Sequence, residues 1–460
     1  MQYISTRGSA ERLTFSQVVM AGLARDGGLF LPDEIPDVST RLERWAGLSY
    51  CDLAFEVMSC FTDLQPADLR RLIDESYRTF SHPEVTPVVG VGDIHVMELF
   101  HGPTLAFKDV ALQLLGRLFE SVLVREGGSL NIVGATSGDT GSAAIHGVKG
   151  RRGIRIFVMH PKGRVSPVQE RQMTSVLDAN VFNLAVSGTF DDCQRLLKDV
   201  FGDLAFRDRC RLGAINSINW ARVLAQIVYY FYGTFRVMER TGAGAVQVAV
   251  PTGNFGDIFA GYVAFRMGLP VRRLVLATNE NDILARFFNT GEYRIGNVSE
   301  TISPSMDIQV ASNFERYLFY RAGCDGARLA GMMKEFARTG ALRLPAGADE
   351  PFVAGSCDTA GTLATIGRYY KRHGYLLDPH TAVGVAVGER CRESGLPLLC
   401  LATAHPAKFA GAIERAVGPG VARHPAIDAL AALPTRCDGL PVSADALKAY
   451  LSARIEGGAA

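Results

Sequence analysis

The sequence predicts an α/β protein with two mainly parallel sheet lobes and a helical N-terminal segment. Three observations predict it. Residues 13–80 carry apolar side chains at helical spacing; short β-branched runs then alternate with amphipathic stretches; and glycine-rich turns join several of the runs to the stretches. At 460 residues the chain is too long for one simple core and points to two or three domains.

The N-terminal helices are expected over Leu13–Ala24, Cys51–Phe61 and Ala67–Phe80. Pro83, Pro87 and the pair Gly90 and Gly92 punctuate the chain and suggest a boundary near residue 90. Strand-like runs follow at Ile94–Leu99, Leu130–Val133, Ile154–Met159, Val181–Val186, Val246–Val250, Leu274–Ala277 and Leu398–Ala402. Between them lie helical patterns at Val110–Val124, Phe190–Phe201, Ala221–Met238 and Asp257–Met267. The expected division is a helical domain over 1–90, a large α/β domain over 91–110 and 209–460, and a smaller mobile α/β domain over 111–208.

Composition excludes several function classes. The 48 basic and 47 acidic side chains leave a net charge of +1, so no broad field attracts nucleic acid or an anionic membrane surface. No apolar run approaches the roughly 18–20 residues that cross a bilayer. The start, Met1 to Arg7, lacks the apolar core of a signal peptide and the Arg/Ser pattern of a transit peptide. The nine cysteines are scattered without a C-x-x-C pair, as in reduced thiols of a cytoplasmic protein without a zinc site or disulfide framework. His101, His160 and His405 stand at spacings unsuited to a metal set, so no metal is expected.

In parallel sheets, ligands bind beyond the carboxyl ends of strands, and three turns there carry chemistry. Gly134-Ala135-Thr136-Ser137-Gly138-Asp139-Thr140-Gly141-Ser142 follows one strand run and opens a helix. Its glycines, free amides and hydroxyls suit an anion, although a tight structural turn with a Ser/Asp cap has the same composition. It is neither a P-loop nor a dinucleotide fingerprint. Pro251-Thr252-Gly253-Asn254-Phe255-Gly256-Asp257 repeats the arrangement after Val246–Val250. Two such cradles suit a ligand with two anionic groups, or a phosphorylated cofactor together with an anionic substrate.

The third turn is His101-Gly102-Pro103-Thr104-Leu105-Ala106-Phe107-Lys108-Asp109. Only eight of the 48 basic residues are lysines, and Lys108, the first of them, sits among apolar neighbours at a helix start. Partial burial there favours the neutral amine that attacks an aldehyde. The bland alternative is a snorkelling lysine paired with Asp109. A lysine, a phosphate cradle and a second anion-binding loop together make the minimum kit of a pyridoxal-phosphate enzyme acting on an amino acid.

The turn His101–Asp109 also resembles the cofactor-lysine motif of threonine synthases. Five further stretches resemble that family in the same order: Leu23–Phe30, Ser137–Gly141, Asn216–Arg222, Ser303–Ile308 and Thr403–Phe409. The resemblance covers Tyr3 to past Phe409 and implies the fold-type-II (tryptophan synthase β-like) architecture with pyridoxal 5'-phosphate as cofactor. It implies that Lys108 forms the Schiff base. Gly253, Asn254, Phe255, Gly256 and Asp257 would hold the cofactor phosphate, mainly through amides, and Thr403 would face the pyridine nitrogen. Ser137, Gly138, Asp139, Thr140 and Gly141 would take the substrate α-carboxylate. Arg222, with Asn219, is the candidate for the substrate phosphate, against a structural role as an ion-pair former.

The implied reaction converts O-phospho-L-homoserine and water into L-threonine and phosphate. A phospholyase that releases α-ketobutyrate instead of capturing water is the alternative within enzymes, and no motif separates the two. A non-catalytic relative that binds the cofactor or an amino-acid phosphate would be expected to lose the lysine or the cradle, and both are present. Trp45 and Trp220 read as core residues, Asp191-Asp192 as the acidic first turn of a helix, and Cys400 as part of a buried strand.

Overall fold

The computed structural model describes residues 1–346 and 351–457. The N-terminal helices form over Phe15–Ala21, Tyr50–Ser59 and Pro66–Tyr77. The first is shorter than its apolar pattern because Gly22 turns left-handed, at φ 67, and ends it. Ser49 caps the second through the Asp52 amide, and Pro66 opens the third. Trp45 and Trp220 are fully buried core residues.

By its internal contacts the chain divides into two compact units. The larger comprises Met1–Val18, Leu23–Ala111 and Ser217–Arg423; the smaller comprises Val19–Gly22, Leu112–Asn216 and residues 424–457. The larger holds a six-stranded sheet in the order Phe352–Ser356, Val271–Thr278, Val246–Pro251, Leu398–Ala402, Ile94–Glu98, Val88–Val91. All pairings are parallel except the edge hairpin of Val88–Val91 with Ile94–Glu98. Every residue of Val246–Pro251 is buried, as in a strand covered on both faces. Its one amide side chain, Gln247, is satisfied by the Cys391 carbonyl and the Glu393 amide. Val96, Val275, Ala249, Val383, Val385, Leu398, Cys400 and Ile413 pack into a core around this sheet.

The smaller unit holds a five-stranded sheet, parallel throughout, in the order Asp438–Leu440, Val181–Val186, Ile154–Pro161, Leu130–Ala135, Leu212–Gly213. Thr189 and Asp192 close a reciprocal cap on the helix Phe190–Gly202, so the paired aspartates are a helix start.

This division differs from the expected one at both ends of the chain. The N-terminal helices cluster with the larger unit instead of standing alone. The tail joins the smaller unit, because Asp438–Leu440 pairs with Leu184–Val186 and the buried Leu447 and Leu451 enter the same core as Phe157 and Leu184. Among the described residues no helix is long and apolar enough to cross a membrane.

Candidate active site

In the larger unit, the turn before Lys108 is held by backbone pairing to the end of the strand Leu398–Ala402. Ala106 bridges Ala404, the Phe107 amide donates to the Thr403 carbonyl at 2.8 Å, and the His405 amide donates to the Leu105 carbonyl at 3.0 Å. Leu105 adopts φ 59, a costly conformation for a branched side chain, and these bonds hold it there. Asp109 accepts the Thr104 amide and hydroxyl, both at 2.8 Å, and burial pushes its carboxyl up to about 6. Lys408 donates to the Thr104 carbonyl at 2.6 Å and braces the turn from the other side.

Lys108 is the first residue of the helix Lys108–Glu126 and only 8% exposed. Its Nζ lies 3.5 Å from Ser305 Oγ and 5.0 Å from the centre of the Phe107 ring. Ser305 belongs to a loop shaped by Asp307. That carboxylate accepts from Asn279 and Asn281 side chains at 2.7 and 3.1 Å and from the Thr301 hydroxyl and amide at 2.7 and 2.9 Å.

The turn Gly253–Gly256 joins the strand Val246–Pro251 to the helix Gly256–Arg266. Phe255 takes a left-handed conformation at φ 64, and no side chain caps the helix, which leaves its first amides to a ligand. A methyl group on Gly253 would meet the Ser305 carbonyl oxygen at 2.5 Å, so only glycine allows the two loops to touch. The Asp257 carboxylate turns away into the core, where the Tyr229 and Tyr230 hydroxyls donate to Oδ1 at 2.6 and 2.9 Å. Burial raises its carboxyl to about 6, and Oδ2 has no partner among the described residues.

Asn313 ties this turn to the segment 216–222: its amide side chain donates to the carbonyls of Asn254 and Ser217, each at 3.2 Å. Arg316 locks Asn313 in place and donates to the Ile218 carbonyl at 2.6 Å. Asn219 caps the helix Trp220–Thr241 by accepting the Ala221 amide at 3.1 Å. Arg222 lies in the first turn of that helix, 4% exposed, with Nε and Nη1 lacking any hydrogen-bond partner among the described residues. Burial depresses its pKa to about 10, and the positive end of the helix dipole adds to the cost. A buried cation in this state calls for an anion.

The loop Ser137–Gly141 lies in the smaller unit, at the end of Leu130–Ala135 and the start of the helix Asp139–Val148. The Thr136 hydroxyl accepts the Gly138 and Gly141 amides at 3.0 and 2.9 Å, and Gln169 donates to Asp139 at 2.8 Å. Ser137 is exposed and Thr140 half-buried, so hydroxyls remain on the outer side of the turn.

Lys108, Thr403, Gly253 and Ser305 are therefore brought together inside the larger unit, and the segment carrying Asn219 and Arg222 is tied to the same turn. Pyridoxal phosphate fits this set: a nearly buried amine, an uncapped helix start closed by a glycine that admits no side chain, and a hydroxyl residue at the neighbouring strand end. The residues that shape the site but carry no motif signal are Asn279, Asn313 and Arg316. Each donates to a group that lies 28 or more residues away along the chain, and sequence patterns do not mark such pairs. Among the described residues no group of His, Cys, Asp and Glu is arranged to hold a metal ion.

Comparison with known proteins agrees with this geometry. Residues 80–354 match the family described as pyridoxal-phosphate dependent enzyme, residues 2–77 the threonine synthase N terminus, and residues 381–451 the threonine synthase C-terminal region. The threonine synthase of Pseudomonas aeruginosa is 47% identical over 98% of both chains, and that of Schizosaccharomyces pombe is 47% identical over 91% of this chain and 89% of its own. A crystal structure of pyridoxal-phosphate-bound threonine synthase from Brucella melitensis superposes with a TM-score of 0.94, at 46% identity and 99% coverage of both chains. An amine, a helix-start cradle and parallel sheets thus define a fold-type-II, pyridoxal-phosphate-dependent lyase. The chain belongs to the threonine synthase family, and threonine synthesis is its function.

Proposed function

We propose that this chain makes L-threonine from O-phospho-L-homoserine and water and releases phosphate, the last step of threonine biosynthesis, with Lys108 as cofactor lysine and mobile base. The observation that carries the reading is Lys108 itself. It is a nearly buried amine at a helix start, within reach of the Ser305 hydroxyl and in fixed register with Thr403.

Bound pyridoxal phosphate supplies the electron sink that lets protons leave the substrate beside its amino group. The Lys108 amine takes the Cα proton and serves the proton transfers at Cβ and Cγ, as phosphate departs from Cγ and water adds at Cβ. Ser305 Oγ steadies that amine between transfers. The amides of Gly253 to Asp257 hold the cofactor phosphate at the helix start. The Thr403 hydroxyl bonds to the ring nitrogen, and Ser137, Gly138, Asp139, Thr140 and Gly141 receive the α-carboxylate. Arg222, with Asn219 fixing the start of its helix, takes the substrate phosphate, the anion its burial calls for. Burial of Lys108 limits early protonation by water, which would divert the reaction to a ketoacid.

The proposed partner is this small molecule, in the cytoplasm; the near-zero net charge gives nucleic acid no electrostatic hold. Incubation of the holoenzyme with O-phosphohomoserine tests the reading. Equal amounts of phosphate and threonine are expected. Phosphate with α-ketobutyrate would make the chain a phospholyase, and the release of neither would make it a binding protein.

A further inference from the structure

Asp378 caps the helix Pro379–Arg390, and both of its oxygens reach beyond an ordinary cap. Oδ1 accepts the His380 amide at 2.9 Å and lies 2.9 Å from His380 Nδ1. Oδ2 accepts the Thr381 amide at 3.3 Å and the Thr381 hydroxyl. The two residues then extend to the two loops around Lys108. His380 Nε2 accepts the backbone amide of Ser305 at 3.2 Å, and Thr381 Oγ1 accepts the backbone amide of Thr403 at 3.3 Å. Asp378, His380 and Thr381 are almost fully buried. The Phe409 ring packs edge-on against His380 at 4.9 Å.

The donors fix the imidazole tautomer. A backbone amide can only donate, so Nε2 must present a lone pair, and the ring proton sits on Nδ1, directed at Asp378. A helix cap alone requires an acceptor for two amides. It does not require a histidine and a threonine whose outer atoms each take the amide of a loop residue beside the cofactor lysine.

We propose that Asp378, with His380 and Thr381 as its two arms, is a positioning unit that sets Ser305 against Lys108 Nζ and holds the strand end carrying Thr403. One arm fixes the loop whose hydroxyl faces the amine; the other fixes the residue in register with Phe107. None of the three is a catalytic residue. Their effect passes through Ser305 and Thr403, and displacement of the amine by a fraction of an ångström degrades proton transfer without removing a binding group.

The inference rests on Lys108 being the cofactor lysine, and its test is built on two substitutions in the holoenzyme. His380→Asn keeps a donor for Asp378 but cannot reach Ser305, whereas His380→Gln places an acceptor near the position of Nε2. His380→Asn is expected to lower kcat by about 10- to 100-fold with little change in KM, and to shift the absorbance and circular dichroism of the bound cofactor. His380→Gln is expected to recover most of both, and Asp378→Asn to resemble His380→Asn. Should His380→Asn not fold, Thr381→Val against Thr381→Ser reads the other arm in the same way, with loss in the first and recovery in the second. Wild-type kcat and spectra in the disabling variant, or equal impairment in the disabling and conservative variants, would overturn the proposal. Borohydride labelling of the wild type is read separately. A label on Lys108 beside indifferent His380 variants removes the positioning unit alone, while a label elsewhere removes the reading of the site.

Discussion

The Phe107 amide donates to the Thr403 carbonyl oxygen at 2.8 Å, so the residue before the cofactor lysine and the residue proposed to face the cofactor ring share one backbone register. With Ala106 bridging Ala404, that register does not depend on the Thr403 side chain. Changes to this side chain therefore test chemistry with the scaffold intact.

Thr403→Asp is expected to retain the cofactor yet turn over at least about tenfold more slowly. A carboxylate raises the pKa of a partner at hydrogen-bond distance by about 1–3 units and would favour a protonated ring, a stronger electron sink. That helps the first proton leave but holds back loss of the second and departure of phosphate. Stopped-flow spectra should show a long-wavelength band building up with substrate, while Thr403→Ser keeps most activity. Wild-type turnover with no new band would remove Thr403 from control of the ring nitrogen.

Arg222→Met separates a ligand for the substrate from a structural ion pair. The guanidinium is buried with two nitrogens that lack a partner among the described residues, so its removal should leave the thermal midpoint of the apoprotein unchanged or higher. Loss of charge-assisted hydrogen bonds worth about 1.5–3 kcal/mol should raise KM for O-phosphohomoserine by about 10- to 150-fold. Inhibition by a phosphonate isostere should weaken alongside, and cofactor affinity much less. A lower thermal midpoint with unchanged KM would make Arg222 a structural residue.

Asp257 gives the apoprotein a pH dependence of definite sign. Burial raises its folded carboxyl to about 6 from an ordinary 3.8, so the fold favours the protonated form. Its contribution is fully present below pH 3.8 and is lost as pH rises through about 6. Asp257→Asn keeps an acceptor for the Tyr229 and Tyr230 hydroxyls and removes the buried charge. The variant should be more stable than wild type at pH 7.5, by something on the order of 1–3 kcal/mol, and the difference should close towards pH 4.5. Denaturant titrations at both values measure it; a constant difference across pH would mean that Asp257 does not titrate in this range.

Much of this fold is legible in the sequence. Val181–Val186 and Leu398–Ala402 form strands over the same residues that their short, mostly apolar runs mark, because such a run suits a strand buried in a parallel sheet. Lys108 stands out by rarity and setting, and the turn at Gly253 by its glycines. The tail is not legible. Asp438–Leu440 is too short to show a period, and it becomes a strand only by pairing with Val181–Val186. Asp378, His380 and Thr381 read as an ordinary helix start, since the loops they hold lie 75 and 22 residues away along the chain. Arg222 is ambiguous in sequence because an arginine in a helix is commonplace; that two of its nitrogens lack a partner among the described residues is a fact of packing.

The most direct measurement is borohydride reduction of the holoenzyme followed by peptide mapping, beside turnover of Lys108→Ala. The reduced cofactor is expected on Lys108 alone among the eight lysines. Lys108→Ala is expected to release neither phosphate nor threonine at a measurable rate, while still binding pyridoxal phosphate non-covalently at the Gly253–Gly256 turn. A label on any other lysine, or threonine formation by Lys108→Ala near the wild-type rate, would contradict the assignment of Lys108 as the residue that holds the cofactor and moves the protons.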